Sequence, residues 1–302
     1  MNLFRSKPAH AENLGPIARA HYEHLLREGF AHIPQGFPAG LIETVSARVK
    51  RFLARNDSIF HPHIDADGHY PRLVNLHVAH EPLLQLFTQN VVALAVQDAF
   101  FEAASTLYTS LYYERGSAQS IHRDTPYFST RPEYRYLGVW VALEDADERN
   151  GCLQIIRRGH LVPELERQSI ALDHYPSLEA VPPSCDALWN AYQQQVMESC
   201  VAAGLEVELL KVKAGDVVIW HPQLPHGGAA IGDLSRTRHS LVMHVTPPGT
   251  PVYHHDVFFN PAKQVSERAK WAYRKFDGRK FVAGDSVDIG HKEQRPVSDF
   301  VR

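Results

Sequence analysis

From Ser105 to Val245 the chain reads as short strands separated by tight turns, and this texture constrains the fold more than any other feature. Leu107, Thr109, Leu111 and Tyr113 alternate with Tyr108, Ser110 and Tyr112 before Arg115-Gly116 turns the chain, which is the period-two pattern of a half-buried strand. Tyr136 to Leu143 is a continuous apolar run, as expected for a strand covered on both faces. Asn150-Gly151 opens the next strand, Cys152 to Ile156. Further strands are predicted at Val207 to Val212, Val217 to His221 and Arg238 to Val245, with Ala214-Gly215-Asp216 as a turn. Many short strands with such turns close into a barrel or a double sheet.

Residues 1–104 read instead as mainly helical support. A segment from Ile17 to Glu28 stops at Gly29, and Leu41, Ile42, Val45, Val49, Phe52 and Leu53 recur at helical spacing. Residues 161–204 interrupt the strands. Prolines break the first part of that segment, and Leu188, Trp189, Tyr192, Val196 and Val201 form a helical stripe in the second. The C-terminal extension, residues 247–302, is rich in Pro, His and charge, with one helical segment expected near Ala262 to Phe276. No linker divides the chain. The expectation is a single α+β domain over residues 1–302, with its strand core at 105–246 and a helical insertion at 161–204.

Composition excludes several function classes. A formal net charge of −3 argues against a nucleic-acid-binding surface, which needs a basic excess. Three cysteines without a CxxC spacing suggest reduced thiols and a cytoplasmic protein. Met1 to Gly15 carries no apolar run of signal-peptide type, and the apolar stretch near Val91 breaks at Gln97-Asp98, too short to span a bilayer. The partner expected is a small-molecule substrate, with no nucleic acid and no membrane embedding.

Chemistry concentrates at Ile121-His122-Arg123-Asp124-Thr125-Pro126-Tyr127-Phe128. In an extended stretch His122 and Asp124 project to one side while Arg123 faces away. Two ligands from one strand and one later His compose the two-His, one-carboxylate site that holds non-haem Fe(II) and keeps positions open. The same spelling occurs at His63/Asp65 and His254/Asp256, so the triplet alone decides little. Downstream residues separate the candidates. His226-Gly227-Gly228 follows a strand and a Pro-bracketed turn, and Arg238-His239-Ser240 then places a guanidinium and a hydroxyl on one strand face. An inward Arg beside a Ser suits a distal carboxylate. Arg236, the rival arginine, lies in the loop and lacks the Ser two residues on.

With these parts in order, the sequence resembles the phytanoyl-CoA dioxygenase family of Fe(II)/2-oxoglutarate oxygenases over roughly residues 25 to 245. The resemblance rests on Glu28-Gly29-Phe30 through Pro34, His122-Arg123-Asp124, and Trp140 to Leu143 followed by acidic residues. It continues through Asn150-Gly151-Cys152-Leu153 with Gly159-His160, Ala214-Gly215-Asp216 leading to His226, and Arg238-x-Ser240. It implies a double-stranded β-helix (jelly roll), with Fe(II), 2-oxoglutarate as co-substrate, and O2. By position, His122, Asp124 and His226 would ligate iron and form the catalytic centre. Arg238, helped by Ser240, would take the C5 carboxylate, and Trp140 would line that pocket. The family commonly has Pro-Gly-Ser-His where this chain has Arg157-Arg158-Gly159-His160, which puts only the conformation of that turn in question.

The expected reaction is hydroxylation of an unactivated C–H, because a halogenase of this type lacks the carboxylate that Asp124 provides. The alternative is a cupin-like metal-dependent isomerase or ligand-binding jelly roll without 2-oxoglutarate; a third is a non-catalytic barrel serving as an interaction module. Arg115, Arg123, Arg131, Arg135, Arg157 and Arg158 are candidate cations for a small anionic substrate, such as an amino acid, a sugar acid such as Kdo, or a phosphorylated or phosphonate compound. The insertion, with Arg157 and Arg158 at its base, is expected to border the substrate mouth as a lid.

Overall fold

The computed structural model describes residues 14–301, so residues 1–13 of the signal-peptide reading lie outside it. Helix α1 (Pro16–Glu28) begins with proline in its first turn and ends at Gly29, whose φ of 89° forms a left-handed cap that a Cβ would strain. Strand β1 (Phe30–Ile33) and helix α2 (Ala39–Arg55) follow. Helix α2 buries Ile42, Val45, Val49, Phe52 and Leu53, the face its periodicity predicts. Short elements α3 (Asp57–Phe60), β2 (Leu73–Val74), α4 (Leu76–Ala79) and α5 (Gln85–Thr88) lead to α6 (Val91–Phe101). The Asn90 side chain caps α6 by accepting from the Ala93 N–H at 2.8 Å.

The strand half comprises β3 (Thr106–Tyr113), β4 (Ser129–Thr130), β5 (Leu137–Ala142) and β6 (Leu153–Ile155). The insertion contains α7 (Arg167–Leu172) and α8 (Asp186–Ala202). Then come β7 (Glu208–Leu210), β8 (Val217–Trp220), β9 (His226–Gly228), β10 (Ser240–Thr246), β11 (Val252–Tyr253) and α9 (His255–Phe258). The C-terminal strands are β12 (Tyr273–Phe276), β13 (Arg279–Val282), β14 (Ser286–Ile289) and β15 (Glu293–Pro296). The major sheet runs β1–β8–β5–β10–β3–β2–β14–β15, and the minor sheet β7–β6–β9. Their facing arrangement is the jelly roll that the strand texture and the resemblance led us to expect.

Register fixes which side chains face the space between the sheets. One row crosses the major sheet from Asp288 to Val74, Leu111, Val242 and Trp140. A neighbouring row links Thr109, His244, Gly138 and Trp220. The opposite face, with Leu107, Val139, Val141, Ile219 and Leu241, packs on the N-terminal helices in the main core. Burial of this face is the main stabilising term, at about 25 cal/mol per Å² of apolar surface removed from water.

Two local expectations are corrected. The region near Ala262 to Phe276 is not helical: Tyr273–Phe276 is a strand paired with Arg279–Val282. Its turn, Asp277-Gly278, has φ of 44° and 78°, and Asp-Gly between apolar ends is the hairpin signal that outweighs scattered helical spacing. Secondly, His122 forms a single bridge to His226 rather than sitting in a regular strand, and the chain turns at Asp124, where Tyr127 N–H donates to its carbonyl at 2.9 Å. The same-side argument therefore holds for this one pair of ligands only.

Candidate metal centre

The bridge between His122 and His226 is reciprocal: each backbone N–H donates to the other's carbonyl, at 2.8 and 2.9 Å. Directly opposed residues in such a pair project to the same side. The imidazoles are then oriented by their own neighbours. His122 Nδ1 lies 2.7 Å from the Ser120 carbonyl and His226 Nδ1 lies 2.9 Å from that of Leu224. A carbonyl only accepts, so both Nδ1 atoms carry the proton and both Nε2 lone pairs are free for a metal.

Asp124 completes the set. Its Oδ1 is 3.3 Å from His122 Nε2, and its Oδ2 is 3.4 Å from His226 Nε2. All three donor atoms lie within 4.8 Å of one another, and among the described residues no other group of His, Cys, Asp or Glu gathers this way. Two neutral imidazoles and one carboxylate on one side of a point fit a divalent transition metal with open positions. Burial alone would raise the Asp124 carboxyl, but the imidazoles of His226, His122 and His244 gathered around it outweigh that and hold the group well below the usual carboxylate range.

Two supporting residues were not anticipated. His244 Nε2–H donates to Asp124 Oδ2 at 3.0 Å, and Trp220 Nε1–H donates to the same oxygen at 3.2 Å. Phe128 stacks on the His244 ring at 3.8 Å, fixing its plane. The Trp220 indole lies across Gly138, where a Cβ would come within 2.0 Å of the ring. Glycine at 138 is thus what lets the indole reach the carboxylate. The signal for His244 was present, since it shares the alternating face with Arg238, Ser240 and Val242. Trp220 had no comparable signal, because its role depends on cross-strand register.

A cavity of about 950 Å³ opens over this centre. Arg238 and Trp140 both line it, with the guanidinium 5.7 Å from the indole ring. Arg238 Nη1 donates to the Gly151 carbonyl, in the turn that starts β6. Its Nε, and the Trp140 Nε1, are buried without a protein partner. Burial lowers the Arg238 pKa to about 10, so it remains a cation at neutral pH. A buried, partly unsatisfied guanidinium costs several kcal/mol unless an anion offsets it. These donors therefore fit a carboxylate held beside the metal. Ser240 is fully buried, its hydroxyl without a protein partner, but it does not line the cavity. Arg236 binds both oxygens of Asp147, at 2.8 and 3.0 Å, and faces elsewhere.

The other sequence candidates separate. His63 bonds Glu293 at 2.7 Å, and Asp256 pairs with Lys263 at 2.8 Å, so neither rival triplet gathers ligands. Of the six arginines proposed for the substrate mouth, none lines this cavity. Arg123 is buried against the Gly159 carbonyl at 2.8 Å, and Arg157 is bound by Glu208 at 2.9 Å. Both found partners in elements distant in sequence, which sequence spacing does not reveal. The insertion does border the cavity, through Ser184, Asp186 and Trp189. Arg157 and Arg158 at its base do not.

Among the described residues no helix is long and apolar enough to cross a membrane. Among solved structures, the chain is similar to the epimerase SnoN in complex with Fe3+, alpha ketoglutarate and nogalamycin RO, with a TM-score of 0.60 at 17% identity over 88% of this chain and 98% of that one. It is also similar to HygX from Streptomyces hygroscopicus with nickel and 2-oxoglutarate bound, with a TM-score of 0.51 at 16% identity over 76% of this chain and 86% of that one. A curated relative, phytanoyl-CoA dioxygenase domain-containing protein 1 of Danio rerio, is 33% identical over 86 residues, which is 27% of this chain and only 30% of the relative's length. The family model for phytanoyl-CoA dioxygenase (PhyH) matches residues 25–239, a stretch that takes in His122, Asp124, His226 and Arg238. On that match, over more than two thirds of its length, the chain belongs to the phytanoyl-CoA dioxygenase family.

Proposed function

We propose that this chain is an Fe(II)- and 2-oxoglutarate-dependent oxygenase that hydroxylates an unactivated C–H bond of a small anionic metabolite. His122, Asp124 and His226 hold the metal, and Arg238 holds the C5 carboxylate of the co-substrate. Together these groups supply the oxidation: 2-oxoglutarate, O2 and a substrate C–H yield succinate, CO2 and C–OH. The chain's own contribution is orientation and exclusion of water. Ser120 and Leu224 fix the imidazoles, His244 and Trp220 hold one carboxylate oxygen, and Trp140 and Leu153 wall the cavity.

The observation that carries this reading is Arg238, a buried cation with an unsatisfied Nε in the same cavity as the three metal-ready donors. A jelly roll acting without a co-substrate, as an isomerase or binding protein, leaves that charge unexplained. Asp124 favours hydroxylation over halogenation, which needs its position vacated for a halide. Kinetics test the assignment. A charge-assisted hydrogen bond contributes about 1.5–3 kcal/mol, so Arg238→Ala should raise the KM for 2-oxoglutarate about ten-fold or more. Arg236→Ala should change it far less, and the reverse ranking refutes the choice of arginine.

A further inference from the structure

The catalytic cavity extends well beyond the metal and Arg238. It runs across the major sheet toward β2 and the β14–β15 hairpin, where Arg72, Asp288, His291 and Gln294 form its far end. A second cavity of about 510 Å³ adjoins there, and Arg72 lines both. The hairpin lies after residue 239, where the family match ends.

Charge at this end is unbalanced in one place. Arg115 is neutralised by Asp67 at 2.7 Å and Asp65 at 3.8 Å. Asp288 is engaged by the His291 backbone N–H at 2.7 Å and its Nδ1 at 3.0 Å. The Glu114 carboxylate accepts from the Tyr70 N–H at 2.6 Å. Arg72, by contrast, pairs with no carboxylate among the described residues, and its guanidinium has only a 3.5 Å contact to the Tyr113 hydroxyl. A half-buried guanidinium that faces a cavity and lacks an acidic partner is suited to receive an anion from a ligand.

Its position sets the shape of that ligand. Arg72 precedes β2 by one residue, two strands across the sheet from β10 and level with Ser240. His244, which touches Asp124, lies four residues further along β10. At ordinary strand spacings this is about 10 Å across and about 13 Å along. Even with a side-chain reach of about 6 Å spent wholly along that line, about 10 Å or more remains between the guanidinium and the backbone of His244, beside the metal-binding carboxylate. A compact α-amino acid cannot bridge that gap.

We propose that Arg72 binds the anionic end of an extended substrate, a carboxylate or a phosphate monoester about 10 Å or more from the carbon that is oxidised. The proposal rests on the oxygenase reading and narrows its substrate class. The test uses holoenzyme with metal and 2-oxoglutarate under anaerobic conditions, after their binding has been measured separately. Failure at that first step counts against the oxygenase reading and not against Arg72. Four probes are then titrated, following quenching of cavity tryptophan fluorescence: N-octanoylglycine against its amide, and octyl phosphate against octanol. N-acetylglycine serves as the short control.

At least one octyl anion is expected to bind about ten-fold or more tightly than its neutral counterpart, whichever anion it is identifying the source. N-acetylglycine should show no such preference. Arg72→Gln should abolish the advantage, and Arg72→Lys should restore part of it, which a misfolded variant could not do. Equal binding of charged and neutral probes, no binding of either octyl anion, or an advantage that survives in Arg72→Gln overturns the proposal.

Discussion

Asp124 is the residue on which the centre depends, because one of its oxygens is held by two donors while the other remains available to a metal. His244 and Trp220 both donate to Oδ2. Removing a partner that orients a ligand typically costs ten- to a hundred-fold in metal affinity or activity. His244→Phe should therefore weaken Fe(II) binding within that range, measured by titration with a competing chelator, while Asp124→Ala should abolish turnover with the fold intact by circular dichroism. Unchanged affinity in His244→Phe removes the orienting role. At this scale much was legible. His122, Asp124, His226 and Arg238 were all readable as candidates from local spelling and alternation. Trp220 and Arg72 were not, since their positions follow from strand register between segments far apart in sequence.

At the scale of elements, α8 has the clearest consequence. One face packs Leu188, Tyr192, Val196 and Cys200 against Ile121, Ile156, Phe258 and Phe259. Gln193 on the same helix grips the backbone between two candidate ligands: its Oε1 accepts from the Arg123 N–H at 2.9 Å, and its Nε2 donates to the Arg123 carbonyl at 3.0 Å. Trp189 meanwhile lies 5.6 Å from the His122 ring. The insertion thus combines a docked helix with a cavity wall, where the sequence suggested a lid. We expect hydrogen exchange to be slow in residues 186–202 with or without substrate, and faster in residues 173–184, which contain only a single short helical turn. Fast exchange throughout α8 contradicts docking. Gln193→Ala should lower stability by about 1–3 kcal/mol, since it leaves buried backbone groups unpaired. The helical stripe of α8 was readable from periodicity, but its grip on Arg123 depends on tertiary contact.

The whole molecule is closed by its C-terminal strands. Phe281, Val287, Ile289 and Phe300 join the main core with Leu73, Leu107 and the N-terminal helices, and β14 pairs with β2. Residues 247–302 were readable as an extension but not as part of the major sheet, because short charged strands such as Tyr-Arg-Lys-Phe carry little apolar alternation. Deleting them removes four large side chains from the core and leaves β2 as an unpaired sheet edge, and should leave a chain without a cooperative unfolding transition. A truncated chain that melts like the intact one would show that the extension is a separate unit. The central claim, oxidation by iron and 2-oxoglutarate at the His122–Asp124–His226 site, is tested most directly by succinate formation from 2-oxoglutarate. The purified chain should produce succinate with Fe(II) and O2 present, more quickly with an extended anionic substrate, and Asp124→Ala should produce none. Equal succinate formation by Asp124→Ala, or none by the intact chain with bound Fe(II) and saturating 2-oxoglutarate across extended anionic compounds, would contradict it.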